Sequence, residues 1–223
     1  MKNYFFLLIS FLLIVRTQAQ DEVKGAIYSL SFFVDQELTT ERSIHTDNRN
    51  FLNGMSESEI FPDNLKDSIM IFAERKLSKE FKMGIEAIRP KERKGISFGP
   101  GPGYIDGLPF NMLNKMLKQE KKYEKYFDIS FHVYPSGGVE IDLPGGKRSK
   151  VKPKVDMIIR VFDQNKNKIW KQDITLKKFG KLRQISKNNG RGVTVKESET
   201  LSPEDLYSMY VMTMEELFNQ EKK

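Results

Sequence analysis

Alternating hydrophobic and polar residues predict the first strand of the chain. Hydrophobic residues occur at every second position from 26 to 34: Ala26, Tyr28, Leu30, Phe32 and Val34. Because successive side chains of a β-strand point to opposite faces of the sheet, this pattern predicts a half-buried strand over residues 24–34. Residues 35–62 are polar and have no sustained period, so we expect a long loop there.

Hydrophobic residues spaced three and four positions apart predict three helices. The first begins at Asp63, which can cap it, and ends at Gly84, which tolerates the left-handed conformation. The second begins at Leu108-Pro109, with Met112, Leu113, Met116 and Leu117 on its buried face. The third begins at Ser202-Pro203-Glu204-Asp205, where serine can cap, proline suits the first turn and the acids complement the helix dipole.

The remaining hydrophobic runs predict strands over residues 85–89 and 129–133 and a hairpin of residues 155–162 with 169–176. Residues 163–168 have the composition of its turn. If Asp163 opposes Lys168, paired positions sum to 331, and Lys154 lies opposite Lys177. Residues 90–107, 136–152 and 178–200 are rich in glycine, proline or polar residues and are predicted to be loops.

These elements predict an α+β fold with the order β-α-β-α-β-β-β-α. The β–α–β order over residues 24–89 favours a parallel strand pair with a right-handed crossover. We expect a single domain over residues 20–223, a mixed sheet of about five strands with three helices packed on it.

The first 19 residues have the organisation of a secretory signal peptide. Lys2 is followed by an 11-residue apolar run from Phe5 to Val15, and Thr17 and Ala19 are small residues suited to cleavage after Ala19. At about 1.5 Å per residue the run is too short to cross a bilayer, so we expect no transmembrane anchor. The protein is therefore predicted to be exported, to the periplasm or the extracellular space.

The hairpin and the C-terminal helix carry a resemblance. Residues 155–162 and 168–171 followed by that helix resemble the small α/β domains of exported bacterial envelope proteins, such as the amino-terminal domain of the Tol–Pal translocation protein. The resemblance covers residues 125–220 and implies a non-enzymatic assembly or binding module, without implying any catalytic residue.

Composition and motifs argue against most catalytic chemistries. The chain has no cysteine and only two histidines, and we predict no metal site, no cofactor and no catalytic residue. The spacing of Gly99, Gly101, Gly103 and Gly107 matches neither the dinucleotide-binding fingerprint nor the Walker phosphate-binding loop. His132, with Asp128 on the same strand face, and the pair Glu140 and Asp142 are the residues that an enzyme would have to use. A hydrolase acting on an envelope or extracellular polymer is the alternative function.

Positive charge is concentrated in the middle of the sequence. Residues 91–196 contain 24 basic and 10 acidic side chains, whereas both flanking regions are acidic. Two basic segments without acids, residues 147–154 and 177–191, would meet at one end of the hairpin. We predict that they bind an anionic envelope polymer or an acidic protein surface. The absence of aromatic residues among the first of these segments argues against nucleic acid. The predicted binding residues are Lys147, Arg148, Lys150, Lys152, Lys154, Lys177, Lys178, Lys181, Arg183, Lys187 and Arg191.

Overall fold

The structure is a computed structural model that describes residues 23–35, 38–39, 60–88, 96–100, 123–143, 146–188 and 193–220. These residues contain two helices, α1 (Asp63–Phe81) and α2 (Pro203–Gln220). Their strands are β1 (Val23–Val34), β2 (Gly84–Ala87), β3 (Ile96–Pro100), β4 (Lys125–Leu143), β5 (Gly146–Asp163), β6 (Lys168–Leu176), β7 (Leu182–Asn188) and β8 (Val193–Ser198). No helix in these ranges is both long and apolar enough to cross a membrane.

All eight strands belong to one mixed sheet, whose main path is β2-β1-β4-β5-β7-β8. β1 is parallel to β2, β3 and β4, whereas β5 is antiparallel to β4, β6 and β7. β2 and β3 share one edge of β1, and β6 and β7 share one edge of β5. The long strands β4 and β5 therefore join two regions, a core with parallel pairs and an antiparallel extension.

The two helices and the sheet enclose the main hydrophobic core. Residues such as Phe32 on β1, Phe131 on β4 and Ile159 on β5 are completely buried beside residues of both helices. Aromatic rings dominate the centre: Phe32 lies 4.4 Å from Phe131 and 5.7 Å from Tyr210, measured between ring centroids. Removing one such buried ring typically costs about 3–5 kcal/mol, so each of these rings contributes strongly to the stability of the fold.

The opposite face of the core sheet has buried polar residues beside a second apolar cluster that includes Tyr28 and Tyr126. Ser29 and Ser31 on β1 and Asp128, Ser130 and His132 on β4 all lie on it and are buried. Buried polar groups are tolerated where they are hydrogen-bonded. The Ser29 hydroxyl accordingly donates to the Asp128 carboxylate.

Beyond the core, β4 and β5 continue as an antiparallel ribbon. The register shifts between Pro135 and Gly138, and Gly137 has a φ of +72°, which glycine adopts without the steric cost of a Cβ. Past this bulge β5 pairs with β7, and β7 pairs with β8. The loops predicted at 136–152 and 178–200 are therefore wrong in large part, because most of those residues pair in strands through their backbones.

The coarse prediction of an α+β fold with a mixed sheet is confirmed, and the exact element order is wrong. The parallel β1–β2 pair and the β5–β6 hairpin are present, and residues 96–100 form a strand in place of a loop. The end of α1 also differs, since Lys82, not Gly84, adopts the left-handed conformation with φ 52°. The predicted signal peptide and the predicted helix from Leu108 lie outside the described residues.

Candidate functional site

The two basic segments are neighbours in the sheet. Gly146–Val151 at the start of β5 pairs with β7, so that Lys150 lies opposite Arg183 and Val151 opposite Leu182. Farther along β5, Val155 pairs with Leu176, the register in which paired positions sum to 331. The segments are thus strands over much of their length, not the mobile loops that their composition suggests.

Strand alternation places Lys150, Lys152 and Lys154 of β5 and Arg183 of β7 on the sheet face opposite the helices, and Lys177 and Lys181 lie at the two ends of the connection between β6 and β7. Val151 and Leu182 pack against the main core, and Val155 and Leu176 lie within it. The strand positions that alternate with these apolar residues consequently belong to the other face. We call this set the basic strip: Lys150, Lys152, Lys154, Lys177, Lys181 and Arg183.

The basic strip is largely open to solvent and has a carboxylate at each end, Asp156 beside Lys154 and Glu199, which accepts a hydrogen bond from the backbone N–H of Arg183 at 2.7 Å. Lys150, Lys177, Lys181 and Arg183 are exposed, and Lys152 and Lys154 are partly buried. Within the described ranges, Lys154 is the one member that has an ion pair, with Nζ 4.0 Å from Oδ1 of Asp156. Like charges directly across a strand pair are destabilising, so the pair Lys150 and Arg183 costs folding free energy unless an anion lies between them.

The connection from β6 to β7 is fixed to the body of the protein. Phe179 packs against the main core, and Nζ of Lys178 lies 3.3 Å from a carboxylate oxygen of Glu216 on α2. Lys178 is therefore directed to the helix side and is not part of the basic strip. The anchored connection holds Lys177 and Lys181 next to β5.

Four other predicted residues are not part of the basic strip. Lys147, Arg148 and Lys187 are placed by backbone register alone, on the paired strands β5 and β7. Arg191 lies outside the described residues.

A hydrogen-bonded cluster lies at one end of the basic strip. The Tyr134 and Thr175 hydroxyls each donate to the Asp156 carboxylate at 2.5 Å, and Lys154 Nζ lies 4.7 Å from the centre of the Tyr134 ring. The contact with Tyr134 and the charge of Asp156 raise the pKa of Lys154 despite an opposing effect of desolvation. Lys154 therefore keeps its charge throughout the neutral range.

His132 shares that sheet face and lacks a reaction partner. Its ring stacks on Tyr134 at 4.9 Å, and neither ring nitrogen has a hydrogen-bond partner in the described part of the chain. Burial lowers its pKa, although the negative charges of Asp35 and Asp156 oppose the shift. A general base needs a group whose proton it takes and a partner that orients its ring, and among the described residues neither ring nitrogen has such a hydrogen bond.

The candidate carboxylates also have structural explanations. Asp128 is buried, accepts a hydrogen bond from Ser29 at 2.7 Å and forms a 3.1 Å ion pair with Arg160, not with His132. Burial raises its pKa, whereas Ser29 and Arg160 oppose the rise. Glu140 and Asp142 belong to β4, opposite Ser149 and Lys147. Across the described segments, no three His, Asp or Glu side chains are close enough to hold a metal ion.

Sequence reasoning missed two ion pairs, one buried and one between a buried lysine and a half-exposed glutamate. Arg160 reaches Asp128 across β4 and β5, and Lys76 on α1 reaches Glu215 on α2 at 2.6 Å. A lysine or arginine within a hydrophobic stretch was the available signal. Pairing partners that are 32 and 139 positions apart could not be matched without the fold.

Comparisons with known proteins establish no family. No family model matches the chain, and no curated protein matches it. One solved structure that matches is from Helicobacter pylori and is named as a homolog of a neuraminyllactose-binding hemagglutinin. The alignment covers 92% of this chain and 85% of that chain, at 11% identity and a TM-score of 0.32. A likeness at that score does not establish a common fold.

Proposed function

We propose that this chain is an exported, non-enzymatic binding protein that holds an anionic envelope component on the basic strip. The observation that carries the proposal is the pairing of two basic strands, which aligns Lys150 with Arg183 and leaves both side chains exposed. Such an arrangement is costly for folding and favourable for attracting an anion, which supports a binding role.

Export is the second part of the proposal. It rests on the apolar run of residues 5–15 and the small residues before Gln20. The resemblance to small domains of exported envelope proteins agrees with it. An anionic polymer of the envelope, or the acidic face of an envelope protein, is the partner that such a location would offer.

The proposal predicts salt-sensitive retention that depends on the basic strip. We would change Lys150, Lys181 and Arg183 to Glu and measure retention of the full chain on anionic envelope fragments. Each reversal removes an attraction and adds a repulsion, so we expect binding at low salt to fall by about tenfold or more. Exposed charges are screened beyond about 8 Å at physiological salt, so wild-type retention should itself decrease as salt is added.

The matched control changes three exposed cations elsewhere, Arg75, Lys79 and Lys168, to Glu. It alters the net charge equally but leaves the basic strip intact. Equal loss of retention in both variants would show that only net charge matters, and unchanged retention in the strip variant would refute the proposal. Melting temperatures of both variants establish that the fold is retained.

A further inference from the structure

We infer that β6 is an interaction surface for a second copy of this chain, which binds by antiparallel pairing of the two β6 edges about a two-fold axis at Gln172. The inference goes beyond the proposed function and does not depend on it. What points to a second copy is the order of charges along β6, which is complementary to itself in one register.

One edge of β6 has no neighbour among the described strands. β6 pairs with β5 alone in that part of the chain, so its other edge carries a row of backbone N–H and C=O groups that another strand can bind. The side chains there are accessible, since Lys171 is 42% exposed and Asp173 is 62% exposed. The register with β5 shifts beside Ile169, so the regular part of the edge covers residues 170–176.

The two charges in this regular part have opposite signs and lie symmetrically about Gln172. Lys171 and Asp173 share one face of the sheet, and Lys171 Nζ lies 3.2 Å from Asp173 Oδ1. When two copies pair antiparallel with Gln172 opposite Gln172, each Lys171 lies opposite Asp173 of the other copy. The four side chains then alternate in sign around the axis. Opposite charges directly across a strand pair are stabilising, so this register favours association.

The same two residues oppose the adjoining registers. An axis at Lys171 places that lysine opposite itself, and an axis at Asp173 places two aspartates opposite each other. Like charges directly across a strand pair are destabilising. Natural proteins often protect an exposed edge with lysines, which repel a second copy. The order of a lysine and an aspartate about one central residue differs from that protection, because it permits pairing in one register.

The pairing surface is short, so the association is weak. Regular pairing covers Trp170–Ile174 of each copy, about 15 Å of strand. A contact of this length is much smaller than a standard interface of about 1,600 Å², and we expect a dissociation constant on the order of 100 μM. A two-fold axis perpendicular to the sheet keeps the same face of both copies on one side. The two basic strips would therefore face the same direction.

The first test measures self-association of the exported chain and of two charge reversals, Lys171→Asp and Asp173→Lys. Dissociation constants would be determined by sedimentation equilibrium at about 0.15 M salt, where repulsion between the positively charged copies is screened beyond about 8 Å. Each reversal places like charges opposite each other on both sides of the axis. We therefore expect either variant to associate at least about tenfold more weakly than the wild type.

The second test restores the pairing in two ways. In an equimolar mixture of the two variants, aspartates of one copy lie opposite lysines of the other on both sides of the axis, so we expect association close to that of the wild type. The combined variant Lys171→Asp with Asp173→Lys exchanges the charges without changing the net charge, and it should associate as the wild type does. Asp67→Lys and Lys79→Asp on α1 are matched controls, because they change net charge equally at exposed positions away from β6. Each control should leave the dissociation constant within about twofold of the wild-type value.

Three results would overturn the inference. A wild type that stays monomeric at about 500 μM shows that β6 does not pair. Dimers that persist in both single reversals use another surface, and a charge exchange that fails to restore association excludes the register at Gln172. Melting temperatures establish that each variant is folded. Retention on envelope fragments is measured separately, so failure of the dimer leaves the proposed function standing.

Discussion

The imidazole of His132 is buried without a hydrogen bond, which gives this single residue a measurable effect on stability. It is 8% exposed, and its two nitrogens are unpartnered in the segments that the structure describes. Protonation of this imidazole in the folded state is unfavourable, because burial disfavours the charged form. The groups facing it include Tyr134 through ring stacking and the charges of Asp35 and Asp156, which partly oppose that effect.

We predict that stability falls on acidification through His132. Its pKa is lowered in the folded state, so its contribution is fully present above the unfolded value near 6.5 and is lost as pH falls through the folded value. The slope from one such group is at most about 1.4 kcal/mol per pH unit. Urea unfolding of the wild type and of His132→Phe at pH 7.5 and pH 5.0 would measure it.

The comparison between the two proteins removes the contribution of the carboxylates, which titrate in both. We expect the wild type to lose more stability than His132→Phe over this interval. An identical loss in both proteins would show that protonation of His132 is not coupled to folding.

At the scale of elements, one lysine links the two helices. Lys76 on α1 is 7% exposed, and its Nζ lies 3.0 Å from Glu80, 2.6 Å from Glu215 of α2 and 5.6 Å from the centre of the Phe218 ring. Burial lowers the pKa of Lys76, but the hydrogen bonds and charges of Glu215 and Glu80 outweigh that effect and raise it. The lysine therefore holds α2 on α1 in its charged form.

Replacing this lysine should destabilise the helix pair. Lys76→Met keeps most of the side-chain volume but removes the cation from two carboxylates. Breaking a fully buried pair costs about 3–5 kcal/mol, and since Glu215 is half exposed we expect about 2 kcal/mol from chemical denaturation. Lys79→Met, an exposed neighbour on the same helix, should change stability by less than about 0.5 kcal/mol. Equal effects of the two substitutions would show that the ion pair of Lys76 with Glu215 contributes nothing to stability.

How well each element was predicted depends on what covers it. The β5–β6 hairpin and α2 bury a regular apolar face, and their periodicity located them; the Ser202 hydroxyl also caps α2, as expected, by accepting a hydrogen bond from the backbone N–H of Asp205. Alternation located β1 as well, but the prediction of a half-buried strand is wrong: the register shifts between Ile27 and Ser29, and apolar residues lie on both buried faces. The sequences of β7 and β8 are mostly polar and have no sustained alternation, so they resemble loops. Their strand pairing comes from backbone hydrogen bonds to β5, which composition does not record.

The candidate site follows the same rule. The sum of 331 for paired positions holds from Val155 to Val161, so the register of this part of the hairpin could be derived from the sequence, whereas Lys177 lies beyond the last pair of β5 with β6. The register then shifts, with Phe162 opposite Lys168, because the turn is shorter than expected. Lys178 could not be assigned correctly from sequence, since its direction depends on Glu216 of a distant helix.

For the whole molecule, the position of β1 limits where the chain can be cleaved. β1 lies between β4 on one side and β2 and β3 on the other, and its first pairs are Val23 with Gly84 and Gly25 with Lys125. Ala26 and Ile27 are completely buried. Cleavage after Ala19 preserves every one of these pairs, whereas cleavage a few residues later would remove part of a central strand.

We predict that the exported protein begins at Gln20, and that a chain produced from Gln20 onward is more stable than one that begins within β1. A chain that starts at Tyr28 lacks the buried Ile27 and the first β1 pairs, and should lose about 4 kcal/mol or more, since removing one buried isoleucine alone costs about 2–5 kcal/mol. Mass spectrometry of the exported product and thermal unfolding of both chains test this. A product that retains Met1 and stays in the membrane fraction would contradict cleavage. An undiminished melting temperature for the Tyr28 chain would contradict the central role assigned to the start of β1.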